Sequence, residues 1–350
     1  MGCCCGKSEE EKMMMDERNL TRQFLDPAHD AEVDGGRGDD SMMSTAQCEP
    51  RIETLTGKGG LPMIRLTHSS GSTCEVYLFG ATITSYCTPQ GKEVLFVSGR
   101  SQFNGKKAIR GGVPIVFPQF GQPDKAMPSH GFARIAHWSV DTKNSAIQPD
   151  RSVQVVLTMR DSAETFKMWP HEFELEYRIS LTGRSLQTAL TVLNDKLDAW
   201  SFECLLHTYF KVDDIRSVGV AGLQGAEYLD KANGGERKKE KAKLVEPRNF
   251  TDRVYVAGTG ALQSMASAEI MSGNEPVAKV ECTCSRAANA TWGTPTPSPD
   301  LVVWNPFEQA PGDLGDEHEK MVCVEPGLVS RPVESLVNGR LTLTQTIIPL

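Results

Sequence analysis

The stretch FECLLHTYFKV, residues 202–212, alternates in character with a period of two. Successive side chains of a β-strand point to opposite faces, so this period predicts a strand. The even-numbered residues from Phe202 to Val212 form a mostly apolar core face, and the odd-numbered ones, including His207 and Tyr209, form the opposite, more polar face. His207 is therefore a candidate functional residue, although a half-exposed histidine on an ordinary sheet fits this pattern as well.

Short apolar runs of the same kind recur from about residue 50 to the end of the chain. Turn residues separate them, and runs with helical periodicity are few. This spacing is typical of antiparallel strands in a sandwich and disfavours a parallel α/β sheet, so the predicted class is all-β. The runs are CEVYLFGATITSY, VQVVLTMR, FELEYRISLTG, LQTALTVLND, LVVWNPF, MVCVEPG and LTLTQTIIPL.

Charge is concentrated at the N-terminus. The 350-residue chain has a net charge of −8, and residues 1–46 hold 5 Lys and Arg against 11 Asp and Glu. The remaining body is almost neutral, so it offers no extended basic face and nucleic acid is not an expected partner. Apolar runs also stay well short of the roughly 18–20 residues that a membrane-spanning helix needs.

The domain organisation follows from the same contrast. Residues 1–46 are expected to form a disordered acidic tail, and 47–350 a single β-sandwich domain. Within that domain, 231–247 and 287–300 are predicted to be inserted loops, the first charged and the second rich in Pro, Thr and Ser.

The N-terminus carries a possible lipid signal. Gly2 after Met1, followed by Cys3, Cys4 and Cys5, is similar to an N-myristoylation site with adjacent palmitoylation sites, and two lipid chains give stable membrane attachment. Gly6 stands where the usual pattern has Ser or Thr, so an unmodified acidic tail is the alternative reading.

The ten cysteines do not form a zinc-binding pattern. Cys3 to Cys5 are adjacent and the others are scattered without CxxC pairs. This pattern, without a secretory signal, favours reduced thiols in the cytoplasm, and no metal is expected.

MVCVEPG, residues 321–327, repeats the period-two argument. Val322 and Val324 are predicted to face one side of a strand and Glu325 the other, with Pro326-Gly327 forcing a turn. Glu325 is therefore expected at the end of a strand, where carboxylates are often simply solvated.

Two further motifs place arginines beside glycines. IRGGVPIVFPQFG, residues 109–121, contains prolines that argue against a central strand and a glycine pair that permits close approach of the backbone to a ligand. Its Arg110, and Arg134 of SHGFAR, offer planar forks of donors suited to carboxylate, phosphate or sugar hydroxyls.

Taken together, the chain resembles the hexose-6-phosphate mutarotases (glucose-6-phosphate 1-epimerases) of the aldose 1-epimerase superfamily over residues 50–350. Seven motifs carry the resemblance in the family's order and approximate spacing. They are IRGGVPIVFPQFG, SHGFAR, LLHTYFKV, GLQGAEYLDK, NFTDRVY, VVWNPF and VCVEPG.

The resemblance implies a galactose-mutarotase-like β-sandwich, or supersandwich, that interconverts the α and β anomers of a hexose 6-phosphate as a monomer without metal or organic cofactor. It implies His207 as the catalytic histidine and Glu325 as the catalytic carboxylate. It also implies substrate-binding roles, which fall on Arg110, Ser129, His130, Arg134 and Asp252. Ser129 stands where many relatives have glutamine, so its shorter side chain departs from the pattern.

Mutarotation needs a proton removed from the anomeric hydroxyl while another reaches the ring oxygen. We assign Glu325 as the base at O1 and protonated His207 as the acid at O5. The two arginines are expected to hold the 6-phosphate and orient the ring, and the sequence does not decide which of them meets phosphate.

Two other functions fit parts of the sequence. A glycoside hydrolase could pair Glu325 with Asp252 or Glu203, although no spacing selects such a pair. A sugar-phosphate binding module without activity is the second alternative.

Overall fold

The computed structural model describes residues 48–262, 265–287, 295–335 and 337–350. The predicted acidic tail, its acylation signal at Gly2 to Cys5 and the middle of the 287–300 insertion lie outside the described residues.

Strands dominate the described part of the chain, and helices are short. One α-helix, α1, spans Ala163–Met168, and six 3-10 segments occur at Lys58–Gly60, Ala133–Ile135, Ile215–Ser217, Lys231–Asn233, Phe307–Gln309 and Gly315–Lys320. The strands are β1 (Arg51–Thr56), β2 (Pro62–Thr67), β3 (Thr73–Tyr77), β4 (Ile83–Cys87), β5 (Ile115–Val116), β6 (Ser139–Val140), β7 (Ala146–Ile147), β8 (Val153–Arg160), β9 (Glu174–Leu181), β10 (Leu186–Asn194), β11 (Ser201–Leu206), β12 (Tyr209–Lys211), β13 (Val218–Ala221), β14 (Glu227–Asp230), β15 (Glu236–Lys239), β16 (Leu244–Val245), β17 (Thr251–Tyr255), β18 (Ala266–Ser272), β19 (Glu275–Ala287), β20 (Asp300–Asn305), β21 (Met321–Glu334) and β22 (Gly339–Pro349).

These strands form two large antiparallel sheets and a smaller one, which confirms the all-β prediction. The ten-stranded sheet has the order β16-β13-β18-β19-β22-β10-β9-β8-β6, with β7 also paired to β8. The eight-stranded sheet has the order β15-β14-β17-β20-β21-β11-β5, with β12 also paired to β21. Strands β1 to β4 form the third sheet.

The largest apolar core of the described residues lies between the sheets. Buried residues of β8 and β9, such as Leu157 and Tyr177, belong to the same apolar cluster as Phe202 of β11 and Val324 of β21. A buried polar link also joins the large sheets, because Thr208 Oγ1 donates to Gln345 Oε1 at 2.7 Å. These two groups satisfy each other's hydrogen-bonding needs beside His207.

The predicted strand over 202–212 is two strands, β11 and β12. Thr208 turns back to the carbonyl of Leu206, to which its backbone N–H donates at 2.8 Å, and the N–H of His207 donates instead to Pro114 O at 3.0 Å. The two faces are nevertheless as predicted, because Phe202 and Phe210 lie in the core between the sheets and Leu205 packs in a separate cluster.

The predicted turn at Pro326-Gly327 is wrong, because β21 continues through both residues. Pro326 pairs with Leu301, and Gly327 pairs with Leu205. Proline's fixed φ is compatible with extended backbone. A Cβ at Gly327 would lie 2.7 Å from Leu205 Cβ, so glycine allows the neighbouring strand to pass.

The predicted charged loop at 231–247 is also wrong in part. Strands β15 and β16 lie within it, and β15 pairs with β14 as a hairpin at the edge of the eight-stranded sheet. All four residues of Glu236–Lys239 are charged, which is compatible with an exposed edge strand, since natural sheets commonly protect their edges with charge. Among the described residues, none of the helices is long and apolar enough to cross a membrane.

The glycine pair before β5 approaches the protein's own backbone. Gly112 has φ of 69°, and a Cβ there would lie 1.9 Å from Ile83 O. Gly111 has φ of 118°, and its Cβ would lie 2.4 Å from Phe96 O. The glycine pair was predicted to let a ligand approach the backbone. It instead lets the segment that carries Arg110 pack closely against the backbone of Ile83 and Phe96.

Replacing Gly112 by alanine is therefore expected to destabilise the fold strongly. The left-handed conformation alone costs about 1–2 kcal/mol for a residue with a Cβ, and the overlap adds about 1–3 kcal/mol. Gly273→Ala is the matched control, because Gly273 has φ of 61° but open space around the new Cβ. Urea unfolding measures both variants, and equal losses of stability would contradict the assigned role of the Ile83 contact.

Candidate active site

Strand register collects distant residues on one face of the eight-stranded sheet. Tyr209 pairs with Cys323, Cys323 with Trp304, and Trp304 with Asp252, across β12, β21, β20 and β17. Residues directly opposite each other in antiparallel strands share a face. Glu325 follows Cys323 by two residues and so lies on that face too. The eight-stranded sheet therefore places a carboxyl, a thiol, an indole and a phenol side by side.

His207 and Glu325 form a buried pair on this face. Their side chains are 7% and 1% exposed, and His207 Nδ1 lies 3.3 Å from Glu325 Oε2. The two atoms are close but not aligned as a hydrogen bond, and neither has another hydrogen-bond partner among the described residues. The structure thus brings the two predicted catalytic residues together and leaves an unsatisfied polar atom on each.

Aromatic rings fix the orientation of the His207 imidazole. Tyr209 stacks on it with centroids 4.7 Å apart and planes at 10°. Trp304 and His130 meet it edge-on at 5.7 Å each. Such contacts on three sides restrict ring rotation and direct the Nδ1 edge toward Glu325.

Arg110 is held by two partners. Its Nε donates to Asp313 Oδ1 at 3.0 Å, and its Nη1 donates to Tyr209 Oη at 3.2 Å. Burial opposes its charge, but the neighbouring Tyr209 and Asp313 raise the pKa of Arg110. The guanidinium is therefore a fixed positive charge beside Tyr209, the residue that stacks on the His207 ring.

The SHGFAR segment adds three of the predicted residues. Arg134 Nη2 donates to the carbonyl of Ser129 at 2.7 Å, while the Ser129 residue itself is exposed. Burial lowers the pKa of Arg134 to about 10, so it stays charged at neutral pH.

His130 is a neutral donor in this setting. Its Nδ1 accepts from the N–H of Gly121 at 3.2 Å, which places the proton of the neutral ring on Nε2. Burial, with help from the charges of Arg134, Lys231 and Arg110, lowers the pKa of His130 to about 3. The ring is thus suited to donate a hydrogen bond and unsuited to carry charge.

Asp252 and Glu203 complete the acidic side of the site. Burial raises the pKa of each, and Glu203 Oε2 accepts from the N–H of Phe120 at 2.8 Å. Lys231 opposes both rises, and its ammonium lies 4.5 Å from the centroid of the Phe120 ring.

Lys231, Asp313 and Cys323 were missed as site residues by the sequence analysis. Lys231 ends the GLQGAEYLDK motif, and the motif by itself indicates no role for the lysine. Asp313 lies 203 residues from Arg110, so no local pattern reveals the pairing. Cys323 reads as an ordinary member of an alternating strand.

Burial shifts the two members of the His207–Glu325 pair in opposite directions. It raises the pKa of Glu325 well above the usual range, with Asp252 adding to the rise and Arg134 opposing it. It lowers the pKa of His207 well below the usual range, with His130, Arg134 and Arg110 adding to the fall. The pair therefore favours its uncharged form, with a proton on the carboxyl group.

The donor atoms of His207, Cys323 and Glu325 could also hold a metal ion, since they lie within 4.8 Å of one another.

Comparison with known proteins places this arrangement in one family. The sequence profile described as aldose 1-epimerase matches residues 62–347. A protein of Cenchrus ciliaris named as a glucose-6-phosphate 1-epimerase is 33% identical over 294 residues, which are 81% of this chain and 83% of that protein. A Salmonella typhimurium protein of the same name is 30% identical over 275 residues, covering 77% and 84% of the two chains.

Solved structures agree at the level of the fold. A crystal structure described as a mutarotase from Salmonella typhimurium has a TM-score of 0.68 and 26% identity, over 86% of this chain and 94% of that one. A galactose mutarotase related enzyme from Lactobacillus acidophilus has a TM-score of 0.61 at 13% identity, over 85% and 97%. The galactose-mutarotase-like sandwich predicted from the sequence is thereby confirmed, and the chain belongs to the aldose 1-epimerase family.

Proposed function

We propose that this protein is an isomerase that interconverts the α and β anomers of hexose 6-phosphates, D-glucose 6-phosphate among them, by acid–base opening of the ring. The names of its relatives support the substrate class. The observation that carries the proposal is the buried His207–Glu325 pair, 3.3 Å apart, with an unpartnered polar atom on each residue. Two proton-transfer groups directed into one polar site are what anomer exchange requires.

In the proposed reaction, Glu325 removes the proton from the anomeric hydroxyl at O1 while His207 delivers one to the ring oxygen O5. The C1–O5 bond breaks and the open-chain aldehyde forms. Rotation about C1–C2 presents the other face of the carbonyl, and reclosure reverses the two roles. Atoms and charges balance within the substrate and the pair, so this scheme calls for no co-reactant.

The protonation of the pair must change before this can happen. Burial favours neutral His207 and protonated Glu325, whereas the reaction uses imidazolium and carboxylate. Arg110 and Arg134 contribute to the low pKa of His207. A phosphate dianion bound beside them would offset their charges and favour transfer of the proton from Glu325 to His207. Substrate binding would thereby produce the reactive form.

The remaining residues fit binding roles. Arg110 and Arg134 present guanidinium groups for the phosphate or for sugar hydroxyls, with charge-assisted and often bidentate hydrogen bonds. His130 is suited to donate from Nε2, and Asp252 to accept from a hydroxyl. We include Ser129 as a weaker contact because its side chain is short, and Lys231 as a further cation near the acidic side.

We also propose that the enzyme acts as a monomer in the cytoplasm, with attachment to membranes through acylation at Gly2 and the adjacent Cys3, Cys4 and Cys5. The sequence of this segment is the support for the attachment. Intact-mass measurement of the N-terminal peptide from the native source tests it, since a free or merely acetylated terminus would exclude acylation.

The proposed function predicts that the protein accelerates anomer exchange of glucose 6-phosphate and that the pair is responsible. Two-dimensional NMR exchange, corrected for the spontaneous rate, measures it. His207→Ala and Glu325→Gln should each lower kcat by about 10²–10⁴-fold, because each removes one positioned proton transfer. His137→Ala and Glu334→Gln are matched controls, since both residues are exposed and Glu334 lies on the same strand as Glu325. Normal kcat in either test variant would refute the assignment.

Phosphate recognition predicts a selective effect of Arg134→Met. Loss of a charged hydrogen bond costs about 1.5–3 kcal/mol, which corresponds to a rise in KM for glucose 6-phosphate of about 10- to 150-fold. Activity on free glucose should change little. A variant of Arg134 is easier to interpret than a variant of Arg110. The partner of Arg134 is a neutral carbonyl, whereas loss of Arg110 leaves the charged Asp313 unpaired. The exposed Arg331 provides the control, Arg331→Met. Equal losses on both sugars would exclude a phosphate role for Arg134.

The raised pKa of Glu325 predicts a pH-dependent loss of stability. A carboxyl that stays protonated in the fold opposes folding once the unfolded carboxyl ionises, from about pH 4.3 upward, until the pH exceeds the folded pKa. Glutamine does not titrate, so the Glu325→Gln variant does not lose stability in this way. Its free energy of unfolding, minus that of the matched protein with Glu325, should grow from pH 5 to pH 8 by more than about 1 kcal/mol.

Urea unfolding in a His207→Ala background measures this difference without the titration of the histidine. Glu334→Gln in the same background is the control, because Glu334 is exposed and lies on the same strand. A constant difference for Glu325→Gln would mean that folding leaves the pKa of that carboxyl unchanged.

A further inference from the structure

Three metal-binding side chains meet on the site face of the eight-stranded sheet. A ring nitrogen of His207, the sulfur of Cys323 and a carboxyl oxygen of Glu325 lie within 4.8 Å of one another, and all three residues are buried. The proposed reaction uses the imidazole and the carboxyl, and it gives the thiol no role. Cys323 is 0% exposed and packs with Tyr209 and Phe96.

Two polar atoms of this cluster point at each other without a hydrogen bond. His207 Nδ1 and Glu325 Oε2 are 3.3 Å apart, and both are buried without a partner among the described residues. In a tetrahedral zinc site with nitrogen and oxygen ligands about 2.0–2.1 Å from the metal, ligand atoms stand about 3.3 Å from each other. The observed separation matches the one expected for two ligands of a single metal ion.

The thiol completes a set of donors that selects the metal. A Cys sulfur binds zinc at about 2.3 Å, so a modest rotation of the Cys323 side chain would close the third bond. Thiolate favours Zn²⁺ over Mg²⁺ or Ca²⁺, which prefer oxygen ligands. Three protein ligands leave the fourth position for water.

We propose that His207, Cys323 and Glu325 form an inhibitory site for Zn²⁺. Binding displaces one proton from the thiol and one from the carboxyl of Glu325, and the imidazole, already neutral, binds through Nδ1. The resulting thiolate and carboxylate neutralise the two charges of the ion. Arg110 and Arg134 both disfavour a cation in this place; the charge of Arg110 is compensated by Asp313 at 3.0 Å, whereas Arg134 donates to the carbonyl of Ser129.

Inhibition by zinc rests on the proposed function, because the ion would occupy the two groups to which proton transfer is assigned. Binding of the ion does not rest on it. The two statements therefore need separate measurements, one spectroscopic and one kinetic.

The spectroscopic test uses Co²⁺ in place of Zn²⁺, because a cobalt–thiolate bond produces a charge-transfer band in the near ultraviolet and a tetrahedral site produces visible bands. The full-length chain carries Cys3→Ser, Cys4→Ser and Cys5→Ser in every sample, which removes the adjacent thiols. Co²⁺ should produce both sets of bands in this protein. Cys323→Ser should abolish the thiolate band, whereas Cys284→Ser, a half-buried thiol on β19, should retain it.

The kinetic test measures anomer exchange at increasing Zn²⁺, with EDTA added afterwards. Inhibition should be competitive with the sugar phosphate and reversed by EDTA. Measured against its own rate without metal, Cys323→Ser should need at least about tenfold more Zn²⁺ for half inhibition, as expected when a ligand is lost. Cys323→Ala is a second variant, and thermal unfolding verifies that each is folded.

The outcomes separate the two proposals. A Co²⁺ band that depends on Cys323 establishes the metal site even in a protein without anomer exchange, in which case the proposed function fails alone. If the band is missing, or remains unchanged in Cys323→Ser and Cys323→Ala, the metal site is refuted. Equal zinc sensitivity of the parent protein and both Cys323 variants also refutes it.

Discussion

The antiparallel register of β12, β21, β20 and β17 is the constraint on which the site depends. It places Tyr209, Cys323, Trp304 and Asp252 in one row, and the period of two then adds Glu325 to the same face. A slip of one residue in β21 would exchange Glu325 for Val324 and turn the carboxyl into the core between the sheets. Burial of Val322 and Val324 in that core is what prevents the slip. The apolar half of each strand therefore determines where the polar half lies.

The same burial makes the site energetically unfavourable in isolation. His207 and Glu325 are removed from water without aligned partners, and a buried unsatisfied polar group costs about 1–3 kcal/mol. The large apolar core on the other face of the sheet compensates for this, and within that core Thr208 Oγ1 is satisfied by its hydrogen bond to Gln345. His207 Nδ1 and Glu325 Oε2 are among the buried side-chain atoms that have no hydrogen-bond partner in the described residues, and they belong to the two residues to which proton transfer is assigned. Such an arrangement is expected where function requires a group that substrate, and not the protein, completes.

Sequence patterns predicted the faces of the strands better than their ends. The alternation in residues 202–212 placed His207 correctly opposite the core, because side-chain direction follows from the period alone. It could not reveal the break at His207, which depends on a backbone hydrogen bond to Pro114, 93 positions earlier in the chain. Pro326-Gly327 was expected to turn because these residues usually do so in loops, whereas here glycine makes room for the neighbouring Leu205. The fold class and the catalytic candidates were accessible from local pattern and resemblance, and the contacts of Arg110 with Asp313 and of Lys231 with Phe120 were not, since both join segments far apart in sequence.

Electrostatics connects the binding residues to the proton-transfer pair. Burial depresses the pKa of His207, and Arg110 and Arg134 add to this fall, so the imidazole of the free site stays neutral. Burial also raises the pKa of Glu325 against the opposing charge of Arg134, which keeps the carboxyl protonated. In the proposed reaction an anionic substrate would offset the charges of the two arginines where its own ring oxygen needs a proton, and a neutral sugar would not. Discrimination for a phosphorylated sugar would then appear in the reactive protonation state as well as in affinity. At the proposed metal site a divalent cation would act in the opposite sense, since it would displace the proton that the anion would move. The chemistry of the proposed site therefore depends on one physical condition. A proton moves from Glu325 to His207 only when a charge bound beside the pair compensates for the charges of the neighbouring arginines.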